Sequence, residues 1–278
     1  MSRSTGRSES AGTGRRSQRL GAQQRPGPRL PAGPAGSAGR SRAAGRQASG
    51  RTGAPGGPSR TAGRVVALGN TQMPESLAAR VFLLAYDPER SLLTARSKLG
   101  KVLRAAVLVE LQLGGNVVDE GGRVRVAAGV VPRDPVVAEV LEELRAVGPR
   151  RWRHWIDRRG GATVRRVRDE LARDHLIKVE PRRVLGIFPA DRITLRHPLV
   201  RRHVLRAAQD TLRPSRLVSR VDLRDASVVV LAATADLRTV VTKEQRTRHK
   251  DRLAQLAIRV GPAVPALKKS LQQAAAAG

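Results

Sequence analysis

Apolar positions change their period several times after residue 74, and each change predicts an element. Residues 75–87, ESLAARVFLLAYD, are apolar at 77, 81, 84 and 85, the spacing of an amphipathic helix, and Asp87-Pro88 ends it. Residues 97–113 are almost wholly apolar, which predicts a helix buried on most sides, capped by Ser97 and stopped by Gly114-Gly115. Residues 116–126, NVVDEGGRVRV, alternate on both sides of Gly121-Gly122 as a hairpin does. Asp134 as N-cap, with Pro135 in the first turn, opens the helix PVVAEVLEELRAV, and Gly148 closes it.

Farther on, RRWRHWIDRR (150–159) reads as a short basic helix and residues 163–176 as a longer one. Two strand-like runs follow, 177–179 and 183–188, joined through Glu180-Pro181-Arg182. Helices are expected at 198–209, 223–236 and 243–260, the last with Thr242 and Gln245 spaced as a capping box, and a final one at 265–277. Together these predict a mainly α domain with small β-hairpins, in one unit spanning residues 73–278. No internal repeat is present.

Composition separates the first part of the chain from this domain. Residues 1–64 hold thirteen arginines against one acid, Glu9, in a background of Gly, Ser, Pro and Ala. Such a stretch cannot bury enough apolar surface to offset the entropy of ordering, so residues 1–72 are expected to be a disordered basic tail. Met73, just before the first periodic segment, offers an alternative start of translation. The whole chain carries 53 Lys and Arg against 23 Asp and Glu, a formal net charge of +30, which predicts attraction to polyanions such as anionic membranes or nucleic acid. No secretory signal core and no membrane-spanning apolar run is found, so a soluble or peripheral protein on the cytoplasmic side is expected. There is no cysteine, which excludes disulfides and thiolate metal sites.

Catalysis has little to stand on. The five histidines (154, 175, 197, 203, 249) form no HExxH or i,i+4 pair, and neither a Gly-rich phosphate loop nor a nucleophile elbow occurs. The expectation is therefore no enzyme, no cofactor and no metal. Trp152 and Trp155 sit three apart among cations; core packing is the preferred reading over base stacking or a lipid interface. The helix at 163–176 followed by a hairpin also fits a winged-helix element, with Arg165, Arg166 and Arg168 reaching nucleic acid, although Asp169, Glu170 and Asp174 oppose it.

Arg104 is the odd residue of the apolar helix. Positions 104, 107, 108 and 111 share one stripe, so its guanidinium travels with Val107, Leu108 and Leu111. It serves either a phosphate pocket or an ion pair with a carboxylate such as Glu110, Glu139 or Glu142.

The segments RVFLLAYDPERSLLTARSKLGKVLRAAVLVELQLGGNVVDEGGRVRV, WIDRR, VRRVRDELARDHLI and VLGIFPADRITLRHPLVRRHVLRAAQ, in that order, resemble the Golgi phosphoprotein 3 family, in particular its bacterial, actinobacterial branch. The resemblance covers roughly residues 73–260. It implies a central helix bundle ringed by amphipathic helices with a projecting hairpin, and a peripheral membrane protein that binds phosphatidylinositol 4-phosphate head groups and acts as an adaptor. The arginine of the LRxxxLxEL helix is Arg104, and those of the xRxVRxxL helix are Arg165 and Arg168; all three are implied to hold the lipid phosphate. Ala95 stands where the family has a pocket tryptophan, which turns the expected lipid toward phosphatidylinositol, cardiolipin or another anionic lipid. The hairpin around residues 176–190, with Val184, Leu185, Ile187 and Phe188, is implied to support homo-oligomers and to face the bilayer. Localisation at the inner face of the cell membrane follows from the same resemblance.

Overall fold

The structure, a computed structural model, describes residues 73–184 and 188–277, with side chains described outside 182–190. The basic tail expected at 1–72 lies outside the described residues.

Ser76 accepts the Ala79 amide and so caps α1 (Leu77–Ala85), all nine residues of which are buried. Tyr86–Asp87 (β1) was expected to continue this helix, but it turns extended and pairs with Leu92–Leu93 (β2). The next helix, α2 (Arg96–Leu113), begins one residue before Ser97; its N-cap is Ala95, in the left-handed region at φ 51°, without a side-chain cap. That conformation costs a non-glycine residue about 1 kcal/mol or more. Ten of the eighteen α2 residues are buried. The reason is its position, in contact with six other helices along the chain.

Gly121 and Gly122, at φ 57° and 77°, form the tight turn between β3 (Val117–Glu120) and β4 (Arg123–Val126). Asp134 accepts the amides of Val136 and Val137 and opens α3 (Pro135–Val147), as the sequence predicts. The short strand β5 (Arg150–Arg151) adds to β4, and the chain runs on through α4 (Trp152–Asp157) into α5 (Gly160–Arg173). Trp152 and Trp155 are both buried, in keeping with the core reading. The following hairpin, β6 (Ile177–Val184) and β7 (Phe188–Leu195), is longer than the two runs suggested. Its ladder passes through Pro181, opposite Asp191, and on to Val184 opposite Phe188, so residues 180–182 belong to the strand and do not join two separate runs. Proline is tolerated because a two-stranded sheet consists only of edges.

The remaining helices are α6 (Pro198–Asp210), α7 (Leu223–Thr234), α8 (Lys243–Arg248), α9 (Lys250–Val260) and α10 (Ala263–Ala276). Thr242 and Gln245 form the expected capping box at α8. The single helix expected at 243–260 is broken at His249, which ends α8 and begins α9. The fold is thus mainly α, with small antiparallel sheets of two or three strands, and α1, α2 and α7 supply its most completely buried residues.

Buried charges in this core bind helices to one another. Arg80 of α1 meets Asp225 of α7 at 3.1 Å and donates to the Pro74 carbonyl. Arg201 of α6 donates to the carbonyls of Leu83 and Tyr86, which the C-terminal turn of α1 leaves without helical partners. Glu110 of α2 accepts the Leu77 amide at the start of α1 and pairs with Arg224 of α7 at 3.1 Å. Glu110 is therefore a clamp between α1, α2 and α7, and Arg104 has another partner.

Candidate phosphate-binding site

Two glycines bring the relevant helices together. A Cβ on Gly100 of α2 would lie 2.7 Å from the carbonyl carbon of Gly160 in α5, so the first turns of these helices touch backbone to backbone. Arg159, the N-cap of α5, is left-handed at φ 50°, as Ala95 is at the start of α2. Both strained residues lie where the two helix starts converge.

On one side of this contact Arg104 is sealed in. Its residue is 1% exposed; Nη1 donates to Glu143 of α3 at 3.0 Å and Nε to the Trp155 carbonyl at 3.0 Å. This corrects the expectation that Arg104 holds the lipid phosphate, since the residue is closed to solvent. The physical reason is Glu143, which also accepts from Arg158 and lies 3.8 Å from Arg159. Burial raises the proton affinity of Glu143, but Arg158 and Arg104 outweigh it and hold the carboxyl below its ordinary range. Burial likewise draws Arg104 below the usual guanidinium value, against the pull of Glu143. The ion-pair reading of Arg104 was foreseeable, but its partner was not among Glu110, Glu139 and Glu142. Position 143 flanks the buried stripe 136, 140, 144 of α3, whereas Glu142 points away and Glu139 pairs with Arg166 at 2.9 Å.

On the other side α5 turns its arginines outward. Arg165 is exposed and, among the described residues, has no carboxylate within ion-pair distance. Arg168 is largely covered and bonded to Asp191 of β7 and to Asp169, the latter at 2.8 Å. A cavity of about 340 Å³ opens beside it, where Arg96, Leu99, Val164, Arg168 and Asp191 meet. The structure therefore sets Arg165 and Arg168 on one helix, adds Arg96 to the cavity beside Arg168, and withdraws Arg104 to the interior. Arg96 carries no sequence signal beyond its place at a helix start; only the α2–α5 approach brings it to the cavity.

Ala95 lines a different cavity, about 730 Å³, with Lys98 and Arg201. Val184 and Phe188 are register partners at the end of the β6–β7 ladder. Leu185 and Ile187 lie outside the described residues, as do all four side chains.

The sequence profile of Golgi phosphoprotein 3 (GPP34) matches residues 77–274. The chain belongs to the Golgi phosphoprotein 3 family. The match takes in α1 to most of α10, including both sides of the α2–α5 contact. No curated protein matches the chain significantly. Among the described residues no helix is long and apolar enough to cross a membrane.

Proposed function

We propose that this member of the Golgi phosphoprotein 3 family is a peripheral membrane protein that binds the phosphate of anionic lipid head groups. Arg165 and Arg168 contact the phosphate from α5, Arg96 closes the cavity from α2, and Arg104 ties α2 to α3 and α4 behind them. The observation that carries the reading is Arg165, an exposed guanidinium without an ion-pair partner among the described residues, one turn from Arg168 at the edge of a cavity. A guanidinium fork keeps its charge and gives two parallel bonds to phosphate oxygens. Asp191 occupies the Arg168 fork and competes with any incoming anion. This favours a dianionic head group over a monoanionic one.

Each cation near an anionic surface contributes about 1 kcal/mol, so these residues alone give weak binding. The β6–β7 hairpin, with Val184, Leu185, Ile187 and Phe188, supplies apolar contact and self-association in this reading, and several weak sites then act together. The site of action is the inner face of the cell membrane, where the protein serves as an adaptor. No residue is assigned a catalytic step.

Nucleic acid is the competing partner. The succession α4, α5 and β6–β7 supports it, since a short helix does precede α5. Against it, Arg166, Arg168 and Arg173 are each held by a carboxylate, which a base-reading helix needs free. The deciding experiment is sedimentation of Arg165→Ala/Arg168→Ala with phosphatidylcholine vesicles with and without phosphatidylinositol 4-phosphate, duplex DNA serving as competitor. Loss of binding with an unchanged helical spectrum supports the lipid reading; binding equal to the unaltered chain removes the α5 site from the account.

A further inference from the structure

A second group of cations lies away from α5, in a groove between α4 and α10. It has a volume of about 530 Å³ and is lined by Arg151, Arg153, His154, Asp157, Arg158 and Lys269. Four lining residues are permanently cationic at neutral pH, and one is an acid.

That acid is already occupied. Asp157 Oδ1 accepts from Lys101 Nζ at 2.6 Å and from the buried Ser270 hydroxyl at 2.5 Å, and its Oδ2 accepts from Arg153 Nε at 3.2 Å. Arg158 is turned to Glu143. Among the described residues, Arg151 and Lys269 have no carboxylate within 4 Å, and the Nη groups of Arg153 make no bond. The floor is rigid, because α4 packs Trp155 and Ile156, both 0% exposed, against α2 and α10. A fixed floor with unanswered guanidinium and ammonium groups matches a tetrahedral anion better than a carboxylic acid, since three or four oxygens can be reached from separate directions.

We infer that the α4–α10 groove binds a phosphate group, with Arg151, Arg153 and Lys269 as its ligands. The phosphate is that of a lipid head group or a free phosphate. Arg158 joins the groove to Arg159, the N-cap of α5, through Glu143. The inference stands apart from the α5 reading, as its ligands are different residues.

The test uses the full chain carrying Arg151→Ala/Lys269→Ala, with Arg202→Ala/Arg206→Ala on exposed positions of α6 as a control of equal charge loss. Each is titrated with phosphatidylcholine vesicles containing phosphatidylglycerol, and separately with inorganic phosphate and with duplex DNA. The expected result is a loss of about thirtyfold in vesicle affinity for the groove variant and a much smaller loss for the control. Groove-specific loss toward vesicles assigns the phosphate to lipid; groove-specific loss toward inorganic phosphate alone assigns it to a soluble ligand. Equal losses in both variants, or a groove-specific loss seen with duplex DNA alone, overturn the inference. Repeating the titration in the Arg165→Ala/Arg168→Ala background separates the two sites: a groove effect that persists there holds even if the α5 reading fails.

Discussion

The α5 face and the α4–α10 groove are both rich in arginine, yet they differ in how many of those charges are answered. On α5, Arg166, Arg168 and Arg173 each meet a carboxylate, and Arg165 alone does not among the described residues. In the groove Asp157 is bound to Lys101 and Ser270 and also takes Arg153, and Arg158 turns to Glu143, so that Arg151 and Lys269 are left without a carboxylate among the described residues. Counting basic residues therefore misjudges both regions. What disposes a surface to take an external anion is the charge left after internal pairing, and Glu143 shows the limit, a single acid that consumes Arg104 and Arg158 between the two regions.

The most severe way to disturb this contrast is at Glu143. Glu143→Ala leaves the Arg104 guanidinium buried without its acid and is expected to cost about 3 kcal/mol, read from urea unfolding. Gly100→Ala comes next. Alanine would favour the helix by about 1 kcal/mol, but its Cβ overlaps the Gly160 backbone and pushes α2 from α5, for a net loss of about 1–2 kcal/mol in the same measurement, with weakened vesicle binding.

Acid titration sharpens the role of Glu143 further. Its folded pKa lies below 4.5, so its pairing contributes fully above pH 4.5 and is lost as the pH falls through the folded value. Asp157 acts in the same sense below 3.8: burial opposes ionisation, but bonds from Lys101 and Ser270 prevail. Glu110 acts in reverse, because burial raises its pKa and its ionisation above 4.5 costs stability. Glu143→Gln is expected to be less stable than the unaltered chain at pH 7, with the difference shrinking toward pH 3, followed by thermal unfolding across that range. The smallest stability change belongs to Arg165→Ala, within about 0.5 kcal/mol, because the residue is exposed and makes no ion pair among the described residues. Its vesicle affinity should still fall about fivefold. A larger stability loss than binding loss would make Arg165 a structural residue and erase the contrast between α5 and the interior.

Much of the architecture was legible along the chain. The Asp134-Pro135 start, the Gly121-Gly122 turn and the Thr242–Gln245 box are local signals, set by hydrogen bonds within a few residues, and the structure repeats them. The elements misplaced are those whose limits depend on neighbours. Tyr86–Asp87 leaves α1 because β2 offers it a strand partner, and β6 runs through Pro181 because β7 pairs beyond it. The expected cap at Ser97 gave way to Ala95, which follows directly on Thr94, held by its amide to the Ala85 carbonyl, and whose own carbonyl accepts the first helical amides.

Sequence by itself determined the helical class, most helix boundaries, the burial of Trp152 and Trp155, and the presence of arginine at 104, 165 and 168, since periodicity and capping act through near neighbours. Tertiary structure alone decided which arginines are free. Glu143 lies thirty-nine residues from Arg104 and Asp191 twenty-three from Arg168, and a charge is neutralised by what packing brings within a few ångströms, which no local pattern encodes.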